Sequence, residues 1–128
     1  MKRRRISSGS PFEKPIGFSR AVSAGNFIAV SGTAPITPDG GIAHPGDLYG
    51  QTITCIEIMQ AAIEQAGGRL EDVIRTRIML TDISRWQEAA SAHGKFFGDI
   101  RPASTFVEVS RFIDAGWLVE MEADCVVV

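Results

Sequence analysis

Three stretches of the chain carry residue types that could do chemistry. Glu120, Glu122 and Asp124 alternate with Val119, Met121, Ala123, Cys125 and Val127. A two-residue period puts the three carboxylates on one face of a strand and the apolar set on the other. Stacked carboxylates repel, so one member can have a raised pKa and act as an acid or base, while others pair across the sheet with Arg75 and Arg77. Both roles are expected, for different members of the trio. The second stretch, Val30-Ser31-Gly32-Thr33, ends an apolar run. A glycine there exposes backbone N–H groups that can hold a carbonyl or carboxylate, or it simply lets the strand exit. The third is Gly98-Asp99-Ile100-Arg101-Pro102-Ala103-Ser104-Thr105. The forked donors of Arg101 match the two oxygens of a carboxylate, or the side chain is a solvated loop arginine.

The elements that position these residues follow from pattern. Residues 3–8 read as a short edge strand, with Gly9, Pro11, Pro15 and Gly17 forming a loop. Residues 18–23 and 26–31 read as a hairpin turning at Gly25-Asn26, in which Phe27-Ile28-Ala29-Val30 is a buried run. Pro35, Pro38, Asp39-Gly40-Gly41 and Pro45-Gly46 mark a surface loop. Asp47 caps a helix reaching Ala66, whose Thr52, Cys55, Ile56, Met59, Ala62, Ile63 and Ala66 share one face; Gly67-Gly68 ends it. Residues 73–80 form a strand with Ile74, Thr76, Ile78 and Leu80 on one side and Arg75 and Arg77 on the other. A second helix, opened by Asp82 or Ser84, runs to Phe97 with a stripe of Trp86, Ala89, Ala90, His93 and Phe97. Strands at 104–109 and 117–127 complete the order β-β-β-α-β-α-β-β. This is an α+β domain spanning residues 1–128, a mixed sheet with two helices on one face. Two helices on one side leave the other sheet face, part charged and part apolar, for association between subunits.

Composition narrows the function. The chain has 128 residues, is 45% hydrophobic, and has a net charge of −2. Lys2, Arg3, Arg4 and Arg5 hold four of the thirteen basic residues; without them nine basic face fifteen acidic residues, so the body is acidic. An acidic body disfavours nucleic acid. No apolar run long enough for a membrane span occurs, and no apolar segment follows the basic start, so a cytoplasmic protein is expected. Cys55 and Cys125 match no metal spacing and read as small buried hydrophobes; His44 and His93 are too few and isolated for zinc. No phosphate loop or nucleophile motif is present.

The ordered set Arg5-Ile6-Ser7-Ser8, Gly17-Phe18-Ser19-Arg20-Ala21-Val22, Gly25-Asn26-Phe27-Ile28-Ala29-Val30-Ser31-Gly32, Gln51-Thr52, Ala66-Gly67-Gly68, Leu70-Glu71-Asp72-Val73, Phe96-Phe97, Arg101 to Val109 and Val119 to Ala123 resembles the RidA family, also called YjgF-like or L-PSP endoribonuclease-like. The resemblance implies a chorismate-mutase-like fold and a homotrimer with a barrel-like centre and three clefts between subunits. It implies hydrolysis of reactive enamines and imines, such as 2-aminoacrylate, to 2-keto acids and ammonia, with no metal or organic cofactor.

Carried over by residue, the resemblance points to Glu120 as the catalytic group and to Phe18, Ser31, Gly32, Ala90, Arg101 and Ser104 as the substrate-binding set. Three of these depart from the family pattern. Ser104 stands where the family has its carboxylate-clamping arginine, Phe18 where it has tyrosine, and Ala90 where it has asparagine. Loss of a charged bidentate partner costs about 2–5 kcal/mol. Arg101, three residues earlier, can substitute only if the chain bends at Pro102. Three functions follow: an imine or enamine deaminase acting on a substrate other than 2-aminoacrylate; a non-catalytic small-metabolite-binding or regulatory trimer; and, ranked last, an endoribonuclease or translation inhibitor touching phosphates through Lys2–Arg5.

Overall fold

The computed structural model describes residues 2–128. Its strands are β1 (Arg3–Ile6), β2 (Ala21–Ala24), β3 (Phe27–Thr33), β4 (Val73–Leu80), β5 (Ala103–Glu108) and β6 (Val119–Val126). Its helices are α1 (Glu13–Ile16), α2 (Leu48–Gln65) and α3 (Trp86–Phe97). The six strands form one mixed sheet in the order β1-β2-β3-β6-β4-β5. Only β4 and β5 run parallel; α3 makes the crossover between them.

The α2 face lies as its periodicity predicts. Cys55, Ile56, Met59 and Ile63 are fully buried, and Asp47 Oδ1 accepts from Gly50 N at 3.0 Å, closing the N-terminus. These side chains meet Ile28, Val30, Ile78, Leu80, Val119, Met121, Ala123 and Cys125 from the sheet. Burying both thiols in apolar surroundings raises their pKa, that of Cys125 to about 12, so neither is a nucleophile at neutral pH. No helix among the described residues is long and apolar enough to cross a membrane.

Four details differ from the pattern reading. A short helix, α1, interrupts the Pro11–Gly17 loop; Gly17 ends it with φ of 90°. In β3 only alternate residues are covered: Ile28 and Val30 are buried while Phe27 is 40% exposed, because helices cover one face of the sheet. Ile74 is 50% exposed, apart from Thr76, Ile78 and Leu80. The register against β6 shifts between Val73 and Arg75, and such an irregularity turns the residue inside it off the common face. In α3, Trp86 is 47% exposed and Ala92 is buried, so the covered stripe is Ala89, Ala92 and Phe97, with Ala90 and His93 half-buried at its margin.

Candidate functional site

The carboxylates of β6 divide by position. Arg77 Nη1 lies 3.5 Å from Glu122 Oε1 and 3.3 Å from Asp124 Oδ2, and Arg75 Nε lies 3.9 Å from Asp124 Oδ2. These pairs occupy the sheet face that no helix covers. Glu120 makes no ion pair among the described residues. It lies one residue beyond Met121, which pairs with Thr33 just past the β3–β6 register shift between Val30 and Thr33. A Cβ on Gly32 would lie 2.8 Å from Glu120 Oε1, so a glycine is what lets the carboxylate lie against the β3 backbone. Burial pushes the Glu120 carboxyl above its ordinary value; Arg20 opposes and Glu122 adds to the rise.

Glu120 opens into a pocket of about 860 Å³. Phe18, Arg20 and Gly32 line it beside Glu120, and Phe12, Ile58, Ile113 and Trp117 give it an apolar wall. That wall is assembled from distant parts of the chain. Phe12 meets Trp117 edge-on with centroids 5.9 Å apart. Gln51 of α2, fully buried, donates to Gly116 O at 3.0 Å and accepts from Leu118 N at 2.8 Å, tying the 110–118 loop to the helix.

The arginine in the pocket is a residue that the sequence pattern did not single out. Arg20 is 5% exposed. Its Nη1 donates to Gly32 O at 2.5 Å and to Thr33 Oγ1 at 3.1 Å, and its Cζ lies 5.3 Å over the Phe18 ring. Burial pulls its pKa below the ordinary value, and Glu13 and Glu120 oppose that pull. In sequence, Arg20 looks like one exposed position of an alternating strand. In the structure β2 begins only at Ala21, and the preceding residues follow their own path. The available signal was a cation directly preceding a strand of small apolar residues.

The remaining expected residues fall into two groups. Ser31 neighbours the pocket, its hydroxyl donating to Ser19 O at 2.5 Å and its N–H to Arg20 O at 2.9 Å. Ala90, Arg101 and Ser104 do not line the pocket. Ala90 lies half-buried on α3, and exposed Arg101 follows α3 in the left-handed region, with φ of 55°. Ser104, on edge strand β5, pairs in register with Thr76, whose Oγ1 donates to Ser104 Oγ at 2.8 Å and also meets His93 Nε2 at 2.8 Å. One chain therefore brings together Phe18, Gly32 and Glu120, with Ser31 beside them, and holds the other three apart. No group of His, Cys, Asp and Glu among the described residues could hold a metal ion.

Comparison with known proteins agrees with this architecture. The family model described as Endoribonuclease L-PSP matches residues 12–127. A RutC family protein of Pyrococcus abyssi is 40% identical over 111 residues, covering 86% of this chain and 87% of its own. A structure from Mycobacterium tuberculosis, described as a member of the YjgF/YER057c/UK114 family, superposes with a TM-score of 0.89 at 44% identity, covering 98% of this chain and all of that one. The YjgF gene product of E. coli superposes with a TM-score of 0.84 at 26% identity, covering 96% and 98% of the two chains. The fold is thus shared with these proteins, and the chain belongs to the RidA/YjgF family, the endoribonuclease L-PSP family.

Proposed function

We propose that the pocket hydrolyses reactive imines or enamines to carbonyl compounds and ammonia, on a substrate other than 2-aminoacrylate. The observation that carries this reading is the placement of Glu120. Its carboxyl lies against Gly32, is held towards its neutral form by burial, and opens into a pocket walled largely by apolar side chains. A carboxyl whose proton is held more tightly than usual can orient a water towards an imine carbon and pass a proton to the departing nitrogen. Atoms balance with one water consumed and one ammonia released per imine. The reading needs no metal or organic cofactor.

Three copies assemble in this proposal through the sheet face that helices leave uncovered, and the clefts between them bring Ala90, Arg101 and Ser104 of one subunit towards the pocket of another. The separation of the two residue groups within one chain supports that arrangement. A cytoplasmic location suits the reading, since reactive imines arise in metabolism. Ammonia release from freshly generated imino acids, by wild type and by Glu120→Ala, tests it; rates equal to buffer for both would end it.

A second reading is a trimer that binds a small metabolite without turning it over. The replacements at Phe18, Ala90 and Ser104 favour it, since each removes a polar group. An endoribonuclease role ranks last: Arg3, Arg4 and Arg5 are exposed, yet the rest of the chain is acidic.

A further inference from the structure

The geometry points to Arg20 as the residue that binds the ligand's anionic group, making this a pocket for small carboxylates despite serine at position 104. The inference rests on the pocket being a ligand site and is independent of whether Glu120 turns that ligand over.

A guanidinium has five N–H donors in a fixed plane. Two of the contacts available to Arg20 are taken by Nη1, on Gly32 O and Thr33 Oγ1. Its Nε is buried with no partner, and its Nη2 donates to no described residue. No carboxylate among the described residues comes within 4.0 Å of it. Glu13 and Glu120 act on it only at longer range, and Glu13 is itself occupied by Ser8 N and Ser8 Oγ. A cation removed from water normally sits in a close ion pair, because desolvation is otherwise uncompensated. Arg20 instead faces a cavity, with Phe18 packed against its plane. Its Nη1 contacts fix the fork, so little side-chain entropy remains to be lost when an anion arrives.

Within one chain, placement also separates this anchor from the two alternatives in the sequence. Ser104 carries no charge, and its hydroxyl is engaged by Thr76. Arg101 is exposed, outside the pocket. Arg20 and Glu120 instead line one pocket of one chain, flanking Gly32. A small 2-keto or 2-imino acid held by Arg20 through its carboxylate would share this pocket with Glu120. Glu57 and Asp39 also line the pocket, but both are exposed, and Asp39 is occupied by Thr37 and Gly41.

The test is calorimetric titration with pyruvate and with its neutral amide, pyruvamide, which share size and shape. Wild type is expected to prefer the acid by about tenfold or more. Arg20→Gln is expected to weaken pyruvate binding by about thirtyfold or more and pyruvamide binding far less, so that the preference for the acid is lost. Arg20→Lys, which keeps the charge but loses the fork, falls between. A cooperative thermal transition and retained pyruvamide binding report that the variant is still folded. Should Arg20→Gln not fold, Arg20→Lys decides: a preference for the acid equal to that of wild type overturns the inference. Equal affinity for acid and amide, or pyruvate binding that survives Arg20→Gln, overturns the inference. Acid preference without ammonia release by wild type would keep this inference and sink the deaminase reading.

Discussion

Glu120 Oε1 occupies the space where a side chain at position 32 would begin, 2.8 Å from the Cβ position of Gly32. Glycine at 32 and glutamate at 120 therefore act as one unit. Gly32→Ala must displace the carboxylate. Because the obstructing atom is the far end of a flexible side chain, the fold survives, with a stability cost of at most about 1–3 kcal/mol. Thermal unfolding together with ammonia release checks this. The expected result is a cooperative transition close to that of wild type with activity lost; undiminished activity would separate Gly32 from the site.

The same burial makes a prediction about pH. The folded-state pKa of Glu120 lies above its ordinary value of 4.5, chiefly through desolvation. The folded state therefore holds the proton more tightly than the unfolded chain. Stability from this group is complete below about pH 4.5 and declines as pH rises through the folded pKa. Glu120→Gln, which keeps the neutral shape, is expected to raise the thermal midpoint at pH 7 relative to wild type. The difference shrinks as the pH falls towards 4. A gap that widens on acidification would contradict the assignment.

Gln51 is fully buried and holds the 110–118 loop through Gly116 O and Leu118 N. Gln51→Leu leaves both backbone groups without this partner, at about 1–3 kcal/mol each if they stay buried. Amide hydrogen exchange around Trp117 and Leu118 should accelerate, and ligand affinity should fall with it. Unchanged exchange would show that the loop is held by the Phe12–Trp117 contact instead.

The charged sheet face gives a test of assembly. Arg77 approaches both Glu122 and Asp124 at partly exposed positions, where ion pairs contribute about 0–1 kcal/mol. Arg77→Glu should therefore leave the single chain folded. If three copies meet through this face, the wild type sediments at about 41 kDa, three times 13.8 kDa, and the variant shifts towards single chains. A wild type that sediments as one chain would refute the assembly.

Much of this was readable in the residues, for reasons that differ by element. The covered face of α2 and the alternation of β6 are local periodicities, and they appear as expected. The division of the β6 acids was also legible, because Arg75 and Arg77 share one face of the neighbouring strand. Position 74 was not, because a register irregularity leaves no mark in composition. Arg20 was hidden for a different reason. Its burial depends on β2 starting three residues later than the pattern indicates and on the Gly32 carbonyl and the Thr33 hydroxyl, which lie more than ten positions along the chain. The Phe12–Trp117 wall joins segments near opposite ends of the sequence, and no local pattern encodes such a pairing.

The central claim is that Glu120 does chemistry in this pocket beyond shaping it. Its most direct test is the rate of ammonia formation from a freshly generated imino acid by wild type and by Glu120→Gln, with pyruvate affinity measured on the same samples. The account predicts affinity little changed and a rate lower by about a hundredfold or more, the size of a lost acid–base group. Equal rates for the two proteins would contradict it.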